Sequence, residues 1–214
     1  MQLFIGLTFN QSFLQFKKID SFRRRFDEKY TRSHLLQMTL MPPFRLEQYT
    51  SQGVKHFLDD LAEDLEDHLG LLDEAVEVDF NGFDFQAGRK GLLFLKPSIP
   101  VDLFYCQETL QESIKDFGGA FNKHKNLGRS IGNDLQTFLP IGRFTDMELL
   151  SLAVDKARLE FTSPFKLTAR DLTVFEKTPS QWIPRKILFT FPGQPQEFTS
   201  EESDFSLIKS PVNL

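Results

Sequence analysis

The sequence predicts a mixed α+β fold, with antiparallel sheets carrying helices on their outer faces. Two observations lead there. Short runs that alternate at period two, or are wholly apolar, recur along the chain between longer stretches whose apolar residues step by three and four. Several neighbouring strand runs are separated by only a short turn, which joins them antiparallel. The order of elements reads βαβ–αββ–αβ–αββ, and helices interspersed in this way cover one side of a sheet.

Gln2 to Phe9 is an apolar run that reads as a buried strand. Phe13, Phe16, Ile19, Phe22 and Phe26 then form one helical stripe, with Lys17, Lys18 and Arg23 to Arg25 on the other faces. Residues 34–41 form a strand that Pro42-Pro43 is expected to end, since proline cannot donate to a ladder. Thr50 or Ser51 caps a helix with the stripe Val54, Phe57, Leu58, Leu61, Leu65 and Leu69. Its acidic face lacks the loop pattern that wraps calcium and reads as a solvated surface.

Residues 75–80 alternate as a strand, which Phe83 and Phe85 extend after a turn at Asn81-Gly82. Gly88 to Gly91 is a tight basic turn, and 92–96 reads as a fully buried strand. A helix follows Pro100, with Leu103, Cys106, Leu110, Ile114, Phe117 and Phe121 on one side. Residues 122–134 read as a surface loop, and 135–142 as a strand. Thr145 and Glu148 fit a capping box for a helix reaching about Phe161, with Leu149, Leu152, Ala153, Ala157 and Leu159 available to the core. Strands near 165–175 and 183–191 close the fold, and 192–214 is a polar tail.

Composition narrows the function classes. The chain has 214 residues and 40% apolar content, enough for a substantial core. A net charge of −5 argues against a surface that binds nucleic acid or membrane throughout. The single cysteine, Cys106, allows no intrachain disulfide or cysteine-rich zinc site and reads as a buried inert thiol. No apolar run has the length of a membrane span, and the N-terminus lacks a signal-peptide pattern. A cytoplasmic protein without a metal, a cofactor or a membrane partner is expected.

Two stretches share a cadence: Leu36-Gln37-Met38-Thr39-Leu40-Met41-Pro42-Pro43-Phe44 and Phe138-Leu139-Pro140-Ile141-Gly142-Arg143-Phe144. Together they resemble the two His-apolar-Thr-apolar motifs of the 2H phosphoesterase superfamily, the 2′-5′ RNA ligase-like proteins and cyclic phosphodiesterases. In that family Pro-Pro-Phe often follows the first motif and Gly-Arg-Phe the second. The resemblance covers roughly residues 1–191 as one domain. It implies two intimate lobes related by a pseudo-twofold axis, each giving one motif strand to a central cleft.

The resemblance also implies a chemistry, and the residues depart from it. In the family two histidines act as general base and general acid on a phosphodiester, while the threonine hydroxyls hold phosphate oxygens. A histidine suits that work because its pKa of about 6.5 populates both forms near neutrality. Here the histidine positions hold Gln37 and Phe138, and the second threonine position holds Pro140, so only Thr39 matches. A glutamine amide does not titrate near neutrality but still donates and accepts hydrogen bonds. Losing one acid–base group costs about 10²–10⁴-fold in rate, and both are gone.

The sequence therefore reads as a catalytically degenerate 2′-5′ RNA ligase or cyclic phosphodiesterase relative, lacking phosphodiesterase activity. Its cleft binds a nucleotide, an RNA end or another small ligand. Gln37 and Thr39 supply hydrogen bonds, Phe138 a stacking surface, and Arg143 either a phosphate contact or a structural ion pair. Two alternatives stand beside this reading. One is an active phosphodiesterase with a rearranged site using His34 or His124; the other is a protein-interaction module whose cleft Phe138 has closed.

Overall fold

The computed structural model describes residues 1–32, 35–46, 50–121 and 137–193. The expected loop at 122–134 and most of the tail lie outside the described residues, as do His34 and His124. The elements are β1 (Gln2–Phe9), α1 (Leu14–Phe26), β2 (Gln37–Arg45), α2 (Ser51–Leu69), β3 (Glu77–Gln86) and β4 (Gly91–Ser98). They continue with α3 (Val101–Asp116), β5 (Ala120–Phe121), β6 (Leu139–Phe144), α4 (Met147–Glu160), β7 (Phe165–Lys177) and β8 (Trp182–Thr190). The order is the one expected, with the two-residue β5 added.

All described strand pairings are antiparallel, along the path β5-β2-β1-β7-β3-β4-β6 with β8 on the other edge of β7. The long strand β7 serves two halves. Phe165 to Thr168 pair with β3, and Ala169 to Glu176 pair with β1. Helices divide accordingly: α2 packs on β8 and α3, and α3 on β2, while α1 and α4 pack on β6. The helices thus divide between the two parts of one continuous sheet that β7 joins. The core beneath the helices is apolar, including Leu3, Ile5, Leu7, Met38, Leu40, Leu93, Leu95, Leu139 and Ile141. The α2 stripe is buried at all six predicted positions, and Thr50 caps that helix, accepting from the Gly53 N–H at 3.2 Å.

Several expectations are corrected. Pro42 and Pro43 do not end the strand, because β2 runs on to Arg45. They fall where the β1–β2 register shifts, between the pairs Ile5↔Met41 and Leu3↔Phe44, and β5 reaches only Phe44 and Arg45 on the other side. Proline is tolerated at such a bulge on a nearly free edge. Asn81-Gly82 is likewise a bulge inside a continuous β3, with Gly82 at a φ of +78°.

Strand β4 is half-buried rather than fully buried, since Leu92 and Phe94 alternate with buried Leu93 and Leu95. Helix α3 stops at Asp116, so Phe117 is its C-cap and Phe121 belongs to β5. The α4 cap is Asp146, whose carboxylate accepts from the Glu148 and Leu149 N–H groups. Thr145 instead donates its hydroxyl and backbone N–H to Glu28 at the end of α1. In that helix Leu150 and Val154 face inward, and Leu152 and Leu159 are 50% and 73% exposed. No helix among the described residues is long and apolar enough to cross a membrane.

Candidate functional site

The two motif strands come from opposite halves and meet at one point. The Thr39 backbone N–H donates to the Phe138 carbonyl at 3.3 Å, an isolated antiparallel bridge between β2 and the start of β6. An antiparallel register through that pair sets Gln37 opposite Pro140. Each motif's first position therefore faces the other motif's third position, the relationship a twofold axis through the bridge would produce. Buried Gln107 of α3 fastens the same seam, donating its side-chain amide to the Leu40 carbonyl at 2.8 Å and lying 3.5 Å from the Thr137 hydroxyl.

Side-chain parity places the candidates on one face. Gln37 and Thr39 are half-buried and alternate with buried Met38 and Leu40. Phe138 and Pro140 are half-buried and flank buried Leu139. The Phe138 ring packs on Phe94 of β4, with centroids 5.3 Å apart at 51°. Phe94 is also the register partner of Pro140. The second half thus offers an aromatic wall where the first offers an amide and a hydroxyl. Neither side chain, Gln37 nor Thr39, hydrogen-bonds another described residue.

The offset of Arg143 from Phe138 is odd, which on a regular strand sets the two side chains on opposite faces. The register shift between Leu93 and Phe94 inserts a residue in β6, so Arg143 pairs with Leu92, two residues from Phe94 and on its face. Its guanidinium is engaged: Nη1 lies 3.3 Å from Asp27 Oδ2, and its backbone N–H donates to Asp27 Oδ1 at 3.1 Å. Asp27 also faces Arg23, whose Nε is 3.7 Å away and whose side chain is buried. Burial holds the Arg23 guanidinium below its ordinary pKa, against the pull of Asp27. Arg143 thus forms an ion pair with Asp27 while its side chain stays partly exposed.

A row of residues from β1, β7 and β8 lies beside the motif. Across β2, β1, β7 and β8 the register aligns Thr39, Gly6, Thr173 and Ile187 in one row. The next row holds Gln37 and Thr8, then Asp171 and Thr190. Thr8 accepts from the Asp171 N–H at 3.1 Å and donates to its carbonyl at 3.2 Å. The Asp171 carboxylate accepts from Thr190 at 2.9 Å and faces Arg170 at 3.3 Å. Gly6 leaves its place in the first row without a side chain. A Cβ there would come within 3.1 Å of the Phe4 ring and 3.2 Å of the Phe175 ring. These rings stack at 4.7 Å. Phe4-x-Gly6-x-Thr8 and Asp171-x-Thr173 carry period-two signals that a reading of Gln2 to Phe9 as simply buried passes over.

Among the described residues, no group of three or more His, Cys, Asp or Glu side chains is placed to hold a metal ion. Cys106 is buried, and desolvation pushes its thiol pKa up to about 12, which leaves it protonated and inert.

No protein-family model matches the sequence, and no curated protein matches it. Solved structures similar to the chain include E. coli LigT complexed with ATP, with a TM-score of 0.49 and 10% identity over 89% of this chain and 98% of that one. E. coli LigT complexed with 3′-AMP has a TM-score of 0.48 and 12% identity, over 89% and 97% of the two chains. A structure described as a phosphoesterase has a TM-score of 0.45 and 10% identity, over 89% and 98%.

Proposed function

We propose that the protein is a catalytically silent relative of the 2′-5′ RNA ligase-like phosphoesterases that binds a nucleotide or RNA end without turning it over. The observation that carries this reading is the Thr39–Phe138 bridge. The bridge joins the two motif strands at Thr39 and Phe138, and none of Gln37, Thr39, Phe138 and Pro140 has a group that exchanges a proton near neutrality. Gln37 and Thr39, whose side chains hydrogen-bond no other described residue, remain for a phosphate or ribose oxygen, beside a ring that can accept a base face. Base–aromatic stacking is worth about 1–3 kcal/mol.

The test pairs turnover with binding. A 2′,3′-cyclic nucleotide and a 2′-5′-linked dinucleotide are incubated with the protein while its thermal stability is followed with the same ligands. A rise in Tm without product supports the reading, and Phe138→Ala should weaken binding about 5- to 150-fold, the equivalent of one stacked base. Product formation by the purified protein would overturn it and direct mutation to His34 and His124.

The Phe94–Phe138 contact supports a second reading, a closed cleft on a protein-interaction module. Neither product nor a Tm shift would select that one.

A further inference from the structure

We propose that the groove between the start of α1 and the end of α4 is a docking site for this chain's own C-terminal segment, through the acidic and apolar run 201–208. The inference is independent of the proposed function, because no residue lining the groove belongs to either motif strand.

The groove has a volume of about 320 Å³, with Ile19, Phe161 and Phe165 among its apolar lining. Leu14 of α1 and Leu159 of α4 border it and are 75% and 73% exposed. Among the described residues only Leu71 is a more exposed large apolar side chain. Scattered surface leucines are ordinary, but two that flank one apolar groove mark an interaction surface.

The rim of the groove is cationic. Its one carboxylate, Glu160, is engaged, accepting from Arg25 at 2.9 Å, and the Glu160 carbonyl accepts from Lys18. Lys17 and Lys18 on α1, and Lys156 one turn before Glu160 on α4, form no ion pair with a described residue. The segment beyond Gly193 carries the matching pattern. Glu201, Glu202 and Asp204 lead directly into Phe205, Leu207 and Ile208. The carboxylates meet the lysines, and the apolar side chains fill the groove and cover Leu14 and Leu159.

The segment starts within reach. The described residues end at Gly193, where an added Cβ would lie 2.8 Å from the Ala75 Cβ. The next residue, Val76, accepts from the Ala169 N–H at 2.8 Å, and the β3–β7 ladder continues from there to the pair Phe80↔Phe165. Phe165 lines the groove, so the distance along β7 is about 15 Å at 3.4 Å per residue. Residues 194–204 span up to about 35 Å when extended. Tethering makes docking intramolecular, at about millimolar effective concentration, so a modest contact suffices.

Limited tryptic cleavage of the full chain reads docking at the Lys209–Ser210 bond, beside Ile208, as loss of 210–214 in the mass spectrum. Leu14→Glu with Leu159→Glu places carboxylates at the groove from exposed positions and leaves the cleavage site unchanged. Phe205→Ala with Leu207→Ala removes two anchors without touching the core. Either pair should speed cleavage about 10-fold and lower Tm by about 3–5 °C, and all four changes together should do no more than one pair. On an uncovered surface the two glutamates would change Tm little. If the groove pair fails to fold by circular dichroism, the Phe205 and Leu207 pair decides alone. Cleavage and Tm that ignore the folded variants would overturn the proposal. Protection that rises with protein concentration would also overturn it, because the occupant would then be a second copy.

Discussion

The Thr39 amide N–H and the Phe138 carbonyl lie 3.3 Å apart and join the two halves of the molecule at the motif positions. The two motif strands therefore approach each other at these positions. This makes a gain of function the sharpest test of the proposed function. The combined change Gln37→His, Phe138→His and Pro140→Thr should bring detectable hydrolysis of a 2′,3′-cyclic nucleotide. Each restored acid–base group is worth about 10²–10⁴-fold, and single substitutions should remain silent. A triple variant that binds the nucleotide and still gives no product would show that the seam no longer holds catalytic geometry.

Gln107 should be needed for the seam. It donates at 2.8 Å to the Leu40 carbonyl from a buried position. Gln107→Met keeps the volume, removes the donor and leaves that carbonyl unsatisfied, a loss of about 1–3 kcal/mol. Urea unfolding measures it. An unchanged midpoint would mean that water replaces the amide and the seam does not depend on it.

What the sequence revealed follows from which forces act locally. The α2 stripe was legible at every position because Val54 through Leu69 obey one helical period and one cap, both within a few residues of each other. The Asp146 cap was missed because Thr145 and Asp146 are both good caps, and the choice is made by distant Glu28, which claims Thr145. Strand β2 outran its prolines because the tolerance lies in β1's register, not in β2's own residues. At the site, the motif frames identified the two strands, while the Thr39–Gly6–Thr173 row depends on strand order, which no local pattern encodes. Arg143's face was misjudged by parity because a bulge resets parity.

Cys106 offers a direct check on burial. Desolvation pushes its thiol pKa up to about 12, so at pH 8 the native protein carries almost no thiolate. Reaction with a disulfide reagent should be negligible in buffer and complete in denaturant. Rapid labelling of the native protein would show that α3 opens away from the sheet.

Glu28 makes a pH-dependent link between α1 and α4. Its carboxylate accepts from the Thr145 hydroxyl at 2.6 Å and from the Thr145 and Asp146 N–H groups. The Thr145 hydroxyl, first among these bonds, lowers its pKa below the ordinary carboxylate value of 4.5. A lowered folded-state pKa contributes stability above the unfolded pKa and loses it as pH falls through the folded value. Glu28→Gln should therefore lower Tm at pH 7, and the gap to wild type should narrow below about pH 4. A gap that is constant with pH would assign the effect to shape rather than charge.

Asp27 should be the most costly polar residue to change. Its side chain is fully buried between Arg23 and Arg143, and it also accepts from the backbone N–H groups of Lys29 and Arg143. Breaking a buried pair by removing one partner costs about 3–5 kcal/mol, because the other charge stays behind. Asp27→Ala should lose that much in urea unfolding. Arg23 is 1% exposed, so its charge stays buried when Asp27 is removed, and Arg23→Met in the Asp27→Ala background should recover part of the loss. Arg143→Met in the same background should recover less, since its guanidinium is partly exposed and can turn to water. Equal recovery by the two would mean that Asp27 serves the strand-end backbone of β6 and not the buried arginine.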